Sequence, residues 1–295
     1  MQASNPTTSA VSAGRKPRDD EIDVFGLTHP GNVRHENQDH FLISSLHKQI
    51  QVHLTSLPTS DLWSQDTERL AFLAMVADGV GGAAGGEEAS RLAVGAITGY
   101  VTRAIHCYYS VDPADAERFP RELEAAALRV HEDIQANSPT DPLQAHMATT
   151  LTLWIGVWPR GYLLQVGDSR CYLLRNGELM QLSRDQTLAQ DLVDRGVFRR
   201  SDTLRSPFAN VLSSSLGGPE TAPSVTHMQQ QWGDVGLLCS DGLTKHVPDS
   251  RIRERLLAMS SAKQVCEDLL RDALDAGGTD NVTVLVGRTS QKDAS

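Results

Sequence analysis

Hydrophobic and polar positions along this chain follow two rhythms. Residues 70–77 (LAFLAMVA) are apolar throughout, and the run stops at Asp78-Gly79. A short unbroken apolar run bounded by an acid and glycines predicts a strand buried on both faces. Residues 149–158 (TTLTLWIGVW), 235–239 (VGLLC) and 282–286 read the same way. The other rhythm is helical. Ala89, Leu92, Ala93, Ala96, Ile97, Tyr100, Val101, Ala104 and Ile105 recur on one face and predict a helix beginning after Gly85-Gly86. Leu123, Ala126, Ala127, Val130 and Ile134 predict a second over about 121–136, with 112–120 as the break between them. A third carries Val265, Cys266, Leu269, Leu270, Ala273 and Leu274. It opens at the capping pattern Ser261-x-x-Gln264 and stops at Gly277-Gly278.

Shorter strands fill the gaps. Ile22, Val24 and Leu27 begin one, 28–32 is turn chemistry, and the apolar 41–43 follows. The expectation is a hairpin with residues 37–39 at the start of its second strand. Residues 48–54 predict another strand, and the polar 56–68 a loop or insertion. Pro159-Arg160-Gly161 and Asn176-Gly177 are hairpin turns, so 149–182 predicts an antiparallel meander. Residues 185–210 are charged and irregular, with helical potential near 188–195, and read as an excursion from the sheet. The chain re-enters at 211–218, with a further strand at 225–228.

Residues 1–20, rich in Ser, Thr, Ala and Pro, read as a disordered tail without the apolar core of a signal peptide. Residues 289–295 read as a C-terminal tail, leaving 21–288 as one domain. At 295 residues, 40% hydrophobic and 22% charged, the chain fits a soluble globular class. Its net charge of −10 argues against a nucleic-acid or anionic-membrane binder. No apolar segment is long enough to span a bilayer. Cys107, Cys171, Cys239 and Cys266 form no CxxC pair and fit reduced thiols in a cytoplasmic protein.

The chemistry lies where strands end. Asp39, Asp78, Asp241 and Asp280 each stand at the margin of an apolar run. Asp78 and Asp241 are followed by Gly, whose backbone can approach closely. Any one of these acids alone reads equally as a turn residue. Side by side they would repel and call for a cation. Oxygen ligands without His or Cys suit Mg²⁺ or Mn²⁺. The glycines at 79–86 lack GK[ST] and read as a turn, not a nucleotide cradle.

Six segments carry a resemblance: Arg34-His35-Glu36-Asn37-Gln38-Asp39, Ala77-Asp78-Gly79-Val80-Gly81-Gly82, Ala148-Thr149-Thr150, Gly167-Asp168-Ser169-Arg170, Cys239-Ser240-Asp241-Gly242 and Thr279-Asp280-Asn281-Val282-Thr283. In this order they resemble the bacterial branch of the PPM (PP2C-like) family of metal-dependent serine/threonine protein phosphatases. The resemblance implies an α+β fold, a four-layer αββα sandwich of two antiparallel sheets flanked by helices. It implies two Mn²⁺ or Mg²⁺ ions, with a third left open. Asp78 would bridge the ions, the Gly79 carbonyl would bind one, and Asp241 and Asp280 would hold the other. Asp39 would act directly or through water, and Arg34 would grip the substrate phosphate. Residues 185–210 would be the flap beside the cleft. A hydroxide bridging the ions would attack phosphoserine or phosphothreonine, so no phospho-enzyme and no Cys or Ser nucleophile is implied.

The chain departs from the family in places. Val80 stands where some members carry a His that can protonate the leaving group. Gln38 replaces a common Glu, and Ala148 a Gly. Ala145 and His146 stand where many bacterial members have an Asp for a third ion, and Asp141 is the nearest acid. His29 and His35 read as solvated loop residues, and Asp168 as a turn carboxylate bonding backbone or Arg170. The implied partners are phosphoprotein substrates and a cognate Ser/Thr kinase, with the phosphatase a monomer. Two other readings stand beside this one: a catalytically weak phosphoprotein-binding scaffold, and a partner-switch phosphatase acting on an anti-sigma-factor antagonist.

Overall fold

In a computed structural model, the structure describes residues 15–48, 68–81, 84–104, 113–138, 147–199 and 206–292. The chain begins with β1 (Ile22–His29), β2 (His40–Lys48), β3 (Glu68–Ala77) and β4 (Gly79–Val80). Helices α1 (Ala84–Ala104) and α2 (Pro113–Asn137) follow. Next come β5 (Ala148–Thr149), β6 (Leu151–Val157), β7 (Arg160–Val166), β8 (Arg170–Arg175) and β9 (Glu178–Gln181). After α3 (Leu188–Asp194) the chain runs through β10 (Ser224–Gln229) and β11 (Val235–Cys239). It closes with α4 (Asp241–Thr244), α5 (Asp249–Leu257), α6 (Ala262–Asp275) and β12 (Val282–Thr289).

Ten of these strands form two five-stranded sheets, ordered β1-β12-β11-β8-β9 and β10-β7-β6-β3-β2. Every pairing in them is antiparallel. Side-chain alternation explains why their central strands read as continuous apolar runs. On β3, Ala74 and Val76, with Leu163 of β7 beside them, face the other sheet, where Cys171, Leu238 and Leu285 meet them. Ala71, Leu73 and Met75 face the opposite way, onto Ala93, Ile97, Val130 and Ile134 of α1 and α2. On β12, Val282, Val284 and Val286 face Val265, Cys266 and Leu269 of α6. The result is the four-layer αββα sandwich expected. Among the described residues, no helix is long and apolar enough to cross a membrane.

Several local expectations are corrected. β1 and β2 form no hairpin: β1 pairs with β12 and β2 with β3, in different sheets. They face each other across the sandwich, with Gly26 against Phe41 and Ile43. Turn residues specify a reversal, not which edge the chain returns to. The meander fails for the same reason. β6–β7 and β8–β9 are hairpins in opposite sheets, and Gly167-Asp168-Ser169 is the crossing between them. α2 starts at Pro113 and runs through Pro120. Next to that proline, Phe119 is fully buried and packs edge-on against Tyr162 with ring centroids 5.1 Å apart, so tertiary burial outweighs the helix-breaking tendency. Residues 211–218 form only an isolated bridge at Leu212 and another at Leu216. α4 and α5 were not anticipated, although Leu243, Val247, Ile252 and Leu256 recur near helical spacing and are buried.

Residues 15–20, assigned to the tail, lie against the domain: Arg15 and Arg18 bind Glu21, and Arg69 binds Asp19 and the Pro17 carbonyl. At the other terminus β12 continues to Thr289, and the Lys292 N–H donates to Glu21 (3.0 Å). Of the strand expected at 48–54 and the insertion at 56–68, only Lys48, which closes β2, and Glu68, which opens β3, are described; the rest, with Cys107 and the third-ion neighbourhood of Asp141, Ala145 and His146, lies outside the described residues.

Candidate metal centre

Antiparallel pairing brings distant acids to one end of the sandwich. β3 and β11 end there, and β2 and β12 begin there, so Asp78, Asp241, Asp39 and Asp280 share that end. A cleft of about 880 Å³ opens over it, lined among others by Arg34, Gln38, Asp78, Gly79, Asp168, Asp241, Lys245 and Asp280. Asp39 lies beneath, 3% exposed.

Asp78 is fixed through its backbone. Its N–H donates to Thr150 Oγ1 (3.0 Å), and its carbonyl accepts from the Thr150 N–H (2.9 Å) and Thr149 Oγ1 (2.8 Å). This is the structural work of the Thr149-Thr150 pair, which sequence reading recorded only as a motif. Close approach explains the glycine after each acid. A Cβ on Gly79 would lie 2.5 Å from the Gly86 carbonyl oxygen, and one on Gly242 only 1.9 Å from that of Asn281. Asn281 in turn clasps the first motif. Its Oδ1 accepts from the Gln38 N–H (2.9 Å), and its Nδ2 donates to the carbonyls of Glu36 (2.9 Å) and Pro30 (3.1 Å). A donor chain runs from Asn37 Nδ2 to Thr28 Oγ1, to Thr283 Oγ1 and to Asp39 Oδ2, the last step 2.7 Å.

The electrostatics are those of a cation site. Burial, aided by the charge of Asp241, pushes Asp39 up to about 6, against hydrogen bonds from Thr283 and Ser240. Burial and the charges of Asp39 and Asp241 raise Asp78 well above the carboxylate range. Asp168 rises to about 8 through burial and the charges of Asp241 and Asp185. Asp241 is raised by burial, which Lys245 opposes. Asp280 alone is lowered: burial works against it, but Lys245 and Arg34 prevail. Lys245 Nζ lies 2.6 Å from Asp241 Oδ2 and 2.8 Å from Asp280 Oδ2, while Arg34 Nε lies 2.9 Å from Asp280 Oδ1.

Among the described residues, no three acids close to ligand spacing about one point. The donor set nevertheless fits a divalent ion. Two buried oxygens, Asp39 Oδ1 and Asp241 Oδ1, have no hydrogen-bond partner, and a group of all-oxygen donors under mutual repulsion is relieved by a hard cation.

The structure adds two residues that sequence reading missed. Asp168 does not bond Arg170. That arginine makes a bidentate pair with Asp185 (2.6 Å at its shortest) and also reaches Tyr172, while Asp168 faces the acidic cleft. Lys245 carried no motif signal at all, though its place one helical turn after Asp241 was available. His35 is exposed but lines the cleft beside Arg34. The 185–210 excursion carries α3, capped by Thr187, and delivers Asn210 to the cleft wall.

A family model described as protein phosphatase 2C matches residues 52–276. The chain belongs to the protein phosphatase 2C family. Within that family it is 37% identical over 216 residues to the serine/threonine protein phosphatase PstP of Mycobacterium tuberculosis, covering 73% of this chain and 40% of PstP. The chain thus spans well under half the length of that relative. It is 32% identical over 217 residues to the serine/threonine phosphatase stp of Listeria monocytogenes, covering 72% of this chain and 83% of stp. A crystal structure of the PstP catalytic domain in complex with two manganese ions superposes with a TM-score of 0.70 at 30% identity, over 92% of this chain and 99% of that one.

Proposed function

We propose that this chain is a metal-dependent protein phosphatase hydrolysing phosphoserine and phosphothreonine, and that it reverses the action of a Ser/Thr kinase in the bacterial cytoplasm. One observation carries the reading: Asp39, Asp78, Asp168 and Asp241 are forced together at one end of the sandwich with raised pKa values. The two manganese ions of the PstP domain lend it support.

Mn²⁺ or Mg²⁺ would be held by Asp78, the Gly79 carbonyl, Asp241 and Asp280, with Asp39 acting directly or through water. When bound, such ions would activate water as a nucleophile at neutral pH and offset charge on the phosphoryl oxygens. The residues of the chain do the rest. Thr149 and Thr150 fix the backbone of Asp78 and so its side chain at the cleft, and Asn281 fixes the loop bearing Arg34. Arg34, at the cleft edge, offers a planar guanidinium suited to two phosphate oxygens. Asp39, buried beneath the cleft with its Oδ2 accepting from Thr283 Oγ1, is placed to bind or orient the reacting water. Buried thiols supply no nucleophile: burial pushes Cys171 and Cys266 up to about 12. Residues 21–288 would act as one catalytic unit, with 185–210 as its flap and phosphoproteins as its partners.

The test is hydrolysis of phosphothreonine and phosphoserine peptides by the wild-type chain and Asp241→Asn, with Mn²⁺ and with EDTA. Turnover should require metal and fall by orders of magnitude in the variant. Robust turnover in EDTA would sink the two-ion reading, and no turnover by the metal-loaded wild type on several peptides would favour a binding scaffold.

A further inference from the structure

Lys245 lies within the acidic cluster, in contact with both Asp241 and Asp280. It follows α4, so its side chain returns over Asp241 one turn earlier. Its ammonium touches one oxygen of Asp241 and one of Asp280, and Arg34 takes the second oxygen of Asp280. Both oxygens of Asp280 and one of Asp241 are therefore engaged by cations of the protein itself. A divalent ion held by these two acids needs the same oxygens, and an ammonium cannot remain beside it without strong repulsion.

We propose that Lys245 is an internal competitor for one of the two metal ions: it bridges Asp241 and Asp280 until an ion displaces it, and is then released into the cleft beside Arg34. The proposal rests on Asp78, Asp241 and Asp280 being the metal site. Release has a path. Lys245 lines the cleft wall, its side chain is 27% exposed, and its four-carbon stem lets the ammonium swing by several ångströms. Two consequences follow. The ion on Asp241 and Asp280 binds more weakly than its neighbour, because it must evict a cation. Its arrival also frees Lys245, and loosens Arg34, to face a bound phosphate, so this ion and phosphate each strengthen the binding of the other.

The test is calorimetric titration of the full chain with Mn²⁺, comparing wild type with Lys245→Met and Lys245→Gln. Both variants should bind the weaker ion about tenfold or more tightly, and both should melt at lower temperature than wild type in EDTA. Inorganic phosphate should tighten that ion in wild type and do so less in the variants. In the wild-type protein, an amine-acetylating reagent should modify Lys245 faster with saturating Mg²⁺ than with EDTA, a comparison that needs no variant to fold. Unchanged or weaker Mn²⁺ affinity in both variants, or labelling of Lys245 that does not rise with Mg²⁺, would overturn the proposal. Failure of the wild type to bind Mn²⁺ at all would instead remove the metal site on which it rests.

Discussion

In the metal-free protein, Asp39→Asn should stabilise the fold. Asp39 is buried, and its carboxyl is raised from 3.8 to about 6. A carboxyl that holds its proton more tightly when folded favours folding fully below the unfolded pKa. That contribution is lost as pH rises from about 4 through about 6. At pH 7.5 the wild type therefore bears the whole cost, about 3 kcal/mol. Asparagine removes the charge and keeps an oxygen to accept from Thr283 Oγ1, now 2.7 Å from Asp39 Oδ2. Its new N–H₂ replaces Oδ1, a buried atom without a hydrogen-bond partner. Allowing for imperfect geometry, the gain should be about 1–3 kcal/mol. Urea unfolding in EDTA at pH 7.5 measures it, and the gap should shrink toward zero near pH 4. With saturating Mn²⁺ the gap should narrow, since ion binding at about 100 times its Kd stabilises a folded site by about 2.7 kcal/mol and the variant, lacking one carboxylate, gains less of it. A variant less stable than wild type in EDTA at pH 7.5, or a gap indifferent to pH, would refute the reasoning.

Other outcomes follow from the same contacts. Asp185→Asn should destabilise by about 3–5 kcal/mol in urea titrations, because it leaves Arg170 half-buried without its bidentate partner. Arg34→Ala should raise KM for a phosphothreonine peptide more than it lowers kcat if its main contribution is to hold phosphate; the reverse split would assign it to the transition state. Gly242→Ala should weaken Mn²⁺ binding in calorimetry, since its Cβ would force Asn281, and with it Asp280, out of place.

Much of this site was legible before any fold was known. Asp78, Asp241 and Asp280 stood out because each interrupts an apolar run next to a residue of unusual backbone freedom or turn chemistry, and that pattern is local. The pairing of strands is not local. Residues 28–32 look the same whether they close a hairpin or carry the chain to the facing sheet, so β1 and β2 were joined wrongly. For Asp168 the turn and its backbone hydrogen bond stand, but Arg170, its near neighbour in sequence, pairs in space with Asp185 instead. Thr149, Thr150, Asn281 and Thr283 were visible as motifs, but their work is hydrogen bonding to Asp78, Gln38 and Asp39 from remote strands. Lys245 was invisible because a lysine one turn from an aspartate is, on most helices, a solvated pair; only the arrival of Asp280 from another strand makes it part of the site.

The central claim is that Asp78, pinned by Thr149 and Thr150, is the carboxylate about which the metal chemistry is built. The measurement that meets it head-on is turnover of a phosphothreonine peptide by Asp78→Asn beside the wild type, both with saturating Mn²⁺ and both checked for fold by circular dichroism. The variant should fold, with a kcat at least about a hundredfold lower. A folded variant within tenfold of wild type would contradict it.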